Sequence, residues 1–260
     1  MAPRGSGLIL VFDLDQTLID TDKAFSHSLD AENANFKRRT AIMNNPSLSD
    51  EFLKDFVNHR LIDEVLIPAS RLRGNGVDGI FLLTNNASDV YVKAVCRYLV
   101  NTVNNTDGNE YFFDYVMTRN DAEKKKGGDA FSKNLSYIKH MLQNECPFSK
   151  RKREPVIYID DADLTKRLFF FDDQIYDLLE ELSPTFSNHY IQIKGSVEGS
   201  KGFHTYTGKP EDDQTDYSLI NQKISALQSP ESAPSLKGGS RKRRRHYKKR
   251  LTKHVRRRKN

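Results

Sequence analysis

The chain has 260 residues, of which 37% are apolar, and a formal net charge of +6. This length suffices for one α/β core of about 150–200 residues with attachments. Two cysteines exclude a disulfide framework, and the lack of an apolar run of about 18 residues excludes a membrane-spanning helix, so we expect a soluble intracellular protein.

Three short apolar runs stand out along the chain, and each stops at a polar residue. They are 8–12 before Asp13, 80–83 before Thr84, and 168–171 before Asp172. Such unbroken apolarity is typical of strands that are buried on both faces of a parallel sheet. Because ligands bind beyond the carboxyl ends of such strands, the polar residues predict one site built from three loops.

Other segments alternate with these runs. Their composition and spacing predict helices at 90–103, 131–142 and 175–182, and further strands at 111–117 and 189–193. The alternation of strands and helices predicts an α/β fold with a doubly wound parallel sheet.

Three regions depart from the alternation. Residues 20–60 are polar and helix-prone, with a break at Pro46, which predicts a small helical insertion. A short apolar run at 156–159 predicts an inserted strand or hairpin. Residues 225–240 are rich in Ser, Pro and Gly and predict a flexible linker, so the folded domain is expected to span 1–224.

Basic residues are concentrated in a tail at 241–260, which holds 13 Lys or Arg and no acidic residue. When these 13 positive charges are subtracted from the net charge of +6 of the whole chain, residues 1–240 have a net charge of −7. A tail of this kind repels itself and is expected to be disordered unless it binds a polyanion. We interpret it as a nuclear-localisation signal bound by an import receptor or as a non-specific nucleic-acid anchor, in a cytoplasmic or nuclear protein.

The segment Asp13-Leu14-Asp15-Gln16-Thr17 directly follows the first predicted strand. Two carboxylates so close in sequence repel each other unless a cation lies between them. Mg²⁺ meets that need, because it prefers carboxylate and carbonyl oxygens together with substrate phosphate. Carboxylate nucleophiles also form aspartyl-phosphate intermediates in phosphoryl-transfer enzymes, so the segment indicates phosphoryl transfer.

Over roughly residues 8–195 the chain resembles the haloacid dehalogenase-like phosphatases. The motifs of that family are an apolar strand followed by Asp-x-Asp-x-Thr, a strand ending in Thr or Ser, a Lys near a helix start, and a strand ending in paired acids. In the same order, the matching residues here are Asp13 with Asp15 and Thr17, Thr84, Lys133, and Asp172 with Asp173. The resemblance implies the fold of that family, with the insertion at 20–60 as a small cap.

The resemblance also implies the role of each residue. Asp13 would be the nucleophile, and Asp15 the general acid and then the general base. Thr84, Asn85 and Lys133 would bind the phosphoryl oxygens. A Mg²⁺ ion would be held by Asp13, by the backbone carbonyl of Asp15, and by one or both of Asp172 and Asp173.

Two of these assignments have alternatives in the sequence. The segment 132–136 resembles the Lys-Asp-Leu-Ser segment of the tail-domain (small C-terminal-domain) protein phosphatases, which favours Lys133 over the lysine run at 124–126. Asp160-Asp161 also follows an apolar run and matches the paired-acid motif. We favour Asp172-Asp173, because a predicted helix and then a predicted strand follow it, as the fold requires.

The resemblance implies a Mg²⁺-dependent phosphomonoester hydrolase. Members with a small cap tend to act on macromolecules, so we expect a phosphorylated macromolecule, in the first place a phosphoprotein, as substrate. One alternative is a nucleotide or polynucleotide-end phosphatase, delivered by the basic tail. A second alternative is a non-catalytic nucleic-acid-binding protein that uses the same fold as a scaffold. No membrane partner is expected.

Overall fold

The computed structural model describes these parts of the chain: 7–20, 41–102, 112–121, 133, 135–144, 160–174, 190–195 and 210–228. Five strands form one sheet, in the order β3-β2-β1-β4-β5, and every neighbouring pair is parallel. The strands are β1 (Leu8–Phe12), β2 (Val77–Leu83), β3 (Tyr115–Met117), β4 (Leu168–Asp172) and β5 (Tyr190–Gln192). The prediction of an α/β fold with a parallel sheet is confirmed.

Both faces of the sheet are buried, which explains the unbroken apolar runs. Successive side chains of a strand point to opposite faces. In β1, Leu10 and Phe12 belong to one hydrophobic cluster, whereas Ile9 and Val11 belong to another. The sheet therefore separates two cores.

Helices cover the two faces. They are α1 (Pro46–Leu53), α2 (His59–Leu61), α3 (Ile67–Arg71), α4 (Asp89–Thr102), α5 (Leu135–Gln143), α6 (Asp161–Arg167) and α7 (Ser218–Gln228), with a π-helical turn at Ile62–Leu66 between α2 and α3. Helices α1 to α4 and α7 pack on the Phe12 face, and α5 and α6 pack on the Val11 face. This arrangement is compatible with a doubly wound, Rossmann-like fold. No described helix is long and apolar enough to cross a membrane.

The structure describes the second half of the expected insertion at 20–60. Met43, Leu53 and Val57 are buried in the same cluster as Phe12, so residues 41–60 belong to the helical layer on the sheet. Pro46, expected as a break, begins α1, where a missing N–H costs nothing. The remaining residues of the expected cap, 21–40, lie outside the described residues.

Several element boundaries differ from the predicted ones. The strand expected at 111–117 covers only Tyr115–Met117. The reason is Asp114, whose carboxylate accepts a hydrogen bond from the Ile80 backbone N–H at 2.8 Å and so takes a donor of the neighbouring strand. The helix expected at 131–142 is observed as Leu135–Gln143. The helix expected at 175–182 and the strand expected at 156–159 lie outside the described residues.

At the carboxyl end of the chain, α7 continues to Gln228 and therefore includes the first residues of the expected linker at 225–240. Ile220 and Ile224 of α7 are buried in the Phe12-face cluster, which places this helix in the folded domain. The rest of the linker and the basic tail at 241–260 lie outside the described residues.

Candidate functional site

The site lies where β1 and β4 meet. The chain adds β2 and β3 on one side of β1 and then crosses to add β4 and β5 on the other side. Such a reversal of strand order opens a crevice beyond the carboxyl ends of the two central strands. Asp13 directly follows β1 and donates its backbone N–H to the Phe171 carbonyl at 2.8 Å, which places it beside Asp172, the last residue of β4.

Lys133 joins these two strand ends. Its Nζ lies 2.9 Å from Asp13 Oδ1 and 2.6 Å from Asp172 Oδ2. The three side chains are 1%, 5% and 0% exposed, so little water screens these charges. Lys133 lies just before α5, which packs on the sheet and holds the lysine at this position. The alternative lysines at 124–126 lie outside the described residues.

Asp173 completes a group of three carboxylates. One oxygen each of Asp13, Asp172 and Asp173 lies within 4.8 Å of the others, an arrangement that could hold a metal ion. Asp172 Oδ1 accepts a hydrogen bond from the Gln174 N–H at 3.0 Å, which fixes the loop after β4. Three buried acids and one ammonium group leave an excess of negative charge at this point if all are ionised.

Burial has a large effect on these acids. It raises the pKa of Asp13 from 3.8 to about 7, against the opposing charge of Lys133. It raises the pKa of Asp172 from 3.8 to about 7 in the same way. The pKa of Asp173 is also raised, first by burial and then by the charge of Asp13. A buried anion without enough positive charge nearby takes up a proton, so the group has capacity for a further cation.

Asp15 is half-buried and its carboxylate lies outside the group of three. Asn86 donates from Nδ2 to Asp15 Oδ1 at 3.1 Å and to Oδ2 at 3.3 Å. The Asn86 backbone N–H also donates to Thr84 Oγ1 at 3.1 Å. The structure thus links the loop after β1 with the loop after β2. Asn85, the residue favoured from the sequence, is half-buried in the same loop.

A second buried network supports the loop that contains Asp15. Asn58 donates from Nδ2 to the Thr17 carbonyl at 3.2 Å and to Asp213 Oδ2 at 3.1 Å. The Tyr217 hydroxyl donates to the same Asp213 oxygen. Gln16 adopts a φ of 57°, and within the described residues its side-chain amide has no hydrogen-bond partner although it is buried. This loop is therefore held both by its own backbone hydrogen bonds, such as the one from the Gln16 N–H to the Ile19 carbonyl at 2.8 Å, and by Asn58 from outside.

Sequence reasoning missed Asn86, Asn58 and Asp213. The only signal for Asn86 was its place in Thr84-Asn85-Asn86, and neighbouring asparagines at a strand end are indistinguishable by composition. Asn58 and Asp213 are 155 residues apart, and no motif relates them.

The competing acidic pair lies elsewhere. Asp160 is exposed, and its side chain accepts a hydrogen bond from the Asp163 N–H at 2.7 Å. It therefore caps α6, whose first residue is Asp161. Asp160 does not belong to the carboxylate group at the end of β1, and the side chain of Asp161 lies outside the described part of the chain.

Comparisons of the chain with protein-family models, with curated proteins and with solved structures find no match.

Proposed function

We propose that this protein is a Mg²⁺-dependent phosphomonoester hydrolase of the haloacid dehalogenase-like type that forms a phosphorylated Asp13. The observation that carries the proposal is the position of Lys133, whose ammonium group lies between the carboxylates of Asp13 and Asp172 at the switch point of the sheet. A nucleophilic carboxylate, a positive charge for phosphoryl oxygens and a second carboxylate for a metal are thereby brought together. Phosphoryl transfer needs this combination of positioning and charge neutralisation.

The residues fit a magnesium ion. Asp13, Asp172 and Asp173 offer carboxylate oxygens, the ligands that this ion prefers, and the raised pKa values of Asp13 and Asp172 indicate that Lys133 alone does not balance their charges. These three side chains would hold the ion, with the backbone carbonyl of Asp15 as the further ligand implied by the resemblance. When bound, Mg²⁺ would neutralise negative charge on the phosphoryl group.

Asp13 and Asp15 would perform the bond changes. A carboxylate oxygen of Asp13 attacks phosphorus, the bond from phosphorus to the leaving oxygen breaks, and Asp15 gives its proton to that oxygen. In the second half, water attacks the phosphorylated Asp13 and Asp15 takes the proton of the water. The bond between phosphorus and Asp13 breaks, which releases inorganic phosphate and restores the nucleophile. Lys133 stabilises the charge that develops on the phosphoryl oxygens.

For the substrate we propose a phosphorylated macromolecule, in the first place a phosphoprotein. The packing of residues 41–60 into the sheet core supports an uncovered site, because these residues are thereby not available for a separate cap domain. A polynucleotide end is the second candidate, which the 13 basic residues of the tail favour. Deletion of 241–260 separates the two: it should weaken hydrolysis at DNA or RNA ends at physiological salt and leave phosphopeptide hydrolysis unchanged.

Hydrolysis of 4-nitrophenyl phosphate tests the mechanism. We expect turnover by the wild-type protein with Mg²⁺, none with EDTA, and none by Asp13→Asn under either condition. Asp55→Asn, which changes an exposed carboxyl group, is the matched control and should retain activity. Turnover that persists in Asp13→Asn, or that is indifferent to EDTA, would show that the proposal is wrong.

A further inference from the structure

We propose that Asn86 positions the Asp15 carboxyl group for proton transfer to the leaving oxygen, an inference that rests on the proposed function. Nδ2 of Asn86 lies within hydrogen-bond distance of both Asp15 oxygens, at 3.1 and 3.3 Å. The contact joins residues that are 71 positions apart, in loops that follow different strands. Asn86 touches neither phosphorus nor the leaving group in this scheme, so it is a positioning residue.

The side-chain oxygen of Asn86 fixes the orientation of the amide group. Asn86 Oδ1 accepts a hydrogen bond from the Ser88 backbone N–H at 2.8 Å. A backbone N–H can only donate, so the oxygen of the amide must face Ser88 and the NH₂ group must face Asp15. The hydrogen bonds thus assign the donor end of the amide to Asp15.

The backbone of Asn86 is held as well. Its N–H donates to Thr84 Oγ1 at 3.1 Å, and its carbonyl accepts from the Arg119 N–H at 3.4 Å. The residue is therefore attached to the end of β2, to the loop after β3 and, through its side chain, to the start of α4. A donor held at so many points restricts where the Asp15 carboxyl group can rotate.

That restriction matters for one part of the reaction. Transfer of a proton to the leaving oxygen requires the acid to be within hydrogen-bond reach in the right direction. A misplaced group loses rate steeply, about 100-fold for a displacement near 1 Å. A 4-nitrophenolate group leaves without a proton, whereas a more basic phenolate or an alkoxide needs one. Loss of Asn86 should therefore slow the hydrolysis of substrates with basic leaving groups more than the hydrolysis of 4-nitrophenyl phosphate.

The experiment measures kcat/KM with Mg²⁺ for a series of substituted phenyl phosphates, from 4-nitrophenyl phosphate to phenyl phosphate. The value of kcat/KM reports only the steps up to phosphorylation of Asp13, so the later role of Asp15 as base does not enter. Asn86→Ala removes the donor. Asn86→Leu has nearly the same shape, with the same branching at Cγ, but it offers no donor to Asp15 and adds no charge.

In both Asn86 variants we expect kcat/KM to change by less than about twofold for 4-nitrophenyl phosphate and to fall about 10- to 100-fold for phenyl phosphate. Asn120→Ala is the matched control, because Asn120 is exposed and donates to the Ala87 carbonyl of the same loop at 2.5 Å. This variant should either leave kcat/KM unchanged or lower it by the same factor for every substrate.

Three outcomes would overturn the inference. An equal loss for every leaving group in both Asn86 variants would show that the residue only shapes the loop. Unchanged activity, or retention in Asn86→Leu alone, would show that the donor is unimportant. Absence of wild-type turnover, or turnover that survives in Asp13→Asn, would refute the proposed function itself and the inference with it. The Asp13→Asn control distinguishes that last failure from the first two.

Discussion

Lys133 Nζ lies closer to Asp172 Oδ2, at 2.6 Å, than to Asp13 Oδ1, at 2.9 Å. One ammonium group thus serves two carboxylates on neighbouring strands. Because all three side chains are almost completely buried, removal of Lys133 would leave two buried carboxylates without their shared cation, whereas removal of either carboxylate would leave one balanced pair among the three. The predictions below start from this relationship.

Replacement of Lys133 by methionine should lower kcat/KM for 4-nitrophenyl phosphate about 100- to 1,000-fold. This is the usual effect of removing one preorganised donor to a developing oxyanion. Lys166→Met, in α6, is the control and should act like the wild type, since Lys166 is exposed. A Lys133→Met enzyme with normal kcat/KM would remove the lysine from the mechanism.

The metal-free protein should lose stability as the pH rises from about 4 to about 7. The folded-state pKa values of Asp13 and Asp172, both about 7, lie above the ordinary 3.8, so the folded protein binds more protons than the unfolded chain in this window. The free energy of unfolding then falls with pH, by several kcal/mol for the two acids together, since one pKa unit is worth about 1.4 kcal/mol.

Urea unfolding in EDTA at pH 5 and pH 8 measures this loss. Asp13→Asn should flatten the dependence and unfold at higher urea than the wild type at pH 8. Mg²⁺ should restore wild-type stability at pH 8, because it binds the folded state with the acids ionised. A flat pH profile for the metal-free wild type would contradict the shifted pKa values.

Asp172→Asn should weaken Mg²⁺ binding about tenfold or more, because one of the three buried carboxylate ligands loses its charge. Asp160→Asn should bind Mg²⁺ as the wild type does. Asparagine caps a helix about as well as aspartate, so α6 is preserved in that variant. Titration calorimetry with Mg²⁺ compares the two variants. Weakened binding in Asp160→Asn would instead favour the acidic pair at 160–161 as the metal site.

Asn58→Ala should lower the free energy of unfolding by about 2–4 kcal/mol. The change removes the donor to the Thr17 carbonyl and to Asp213, and buried groups that lose a partner cost their full desolvation. Asn101→Ala is the matched control, because Asn101 donates to Asp50 at an exposed site and should cost less than about 0.5 kcal/mol. Equal effects of the two changes would contradict a structural role for the buried network.

Much of the fold could be predicted because the central strands are buried on both faces. That requirement makes the runs that end at Asp13, Thr84 and Asp172 continuous in the sequence, and it leaves the polar residues at the strand ends. The predicted length of β3 was too great, because a sequence pattern does not show that the Asp114 carboxylate accepts a hydrogen bond from a backbone N–H of β2.

The candidate site was predicted only in part. The sequence offered two acidic pairs and two locations for the lysine, and it favoured Asp172-Asp173 and Lys133 only by resemblance and by the order of the predicted elements. Asp160 is a residue type that binds metal ions, but in the fold its carboxylate caps a helix. Asn85 and Asn86 are neighbours of the same type, and only the position of Asp15 across the crevice makes Asn86 the one that contacts it.

The sequence by itself determined the α/β class, the carboxyl ends at which polar groups collect, and the residue types available there, because backbone periodicity and burial act locally on the chain. Tertiary structure alone decided which of those residues meet. Lys133 reaches Asp13 and Asp172, and Asn58 reaches Asp213, only after strands and helices far apart in sequence have packed together. Electrostatic and hydrogen-bond energies depend on distances between side chains, and a linear sequence contains no such distances.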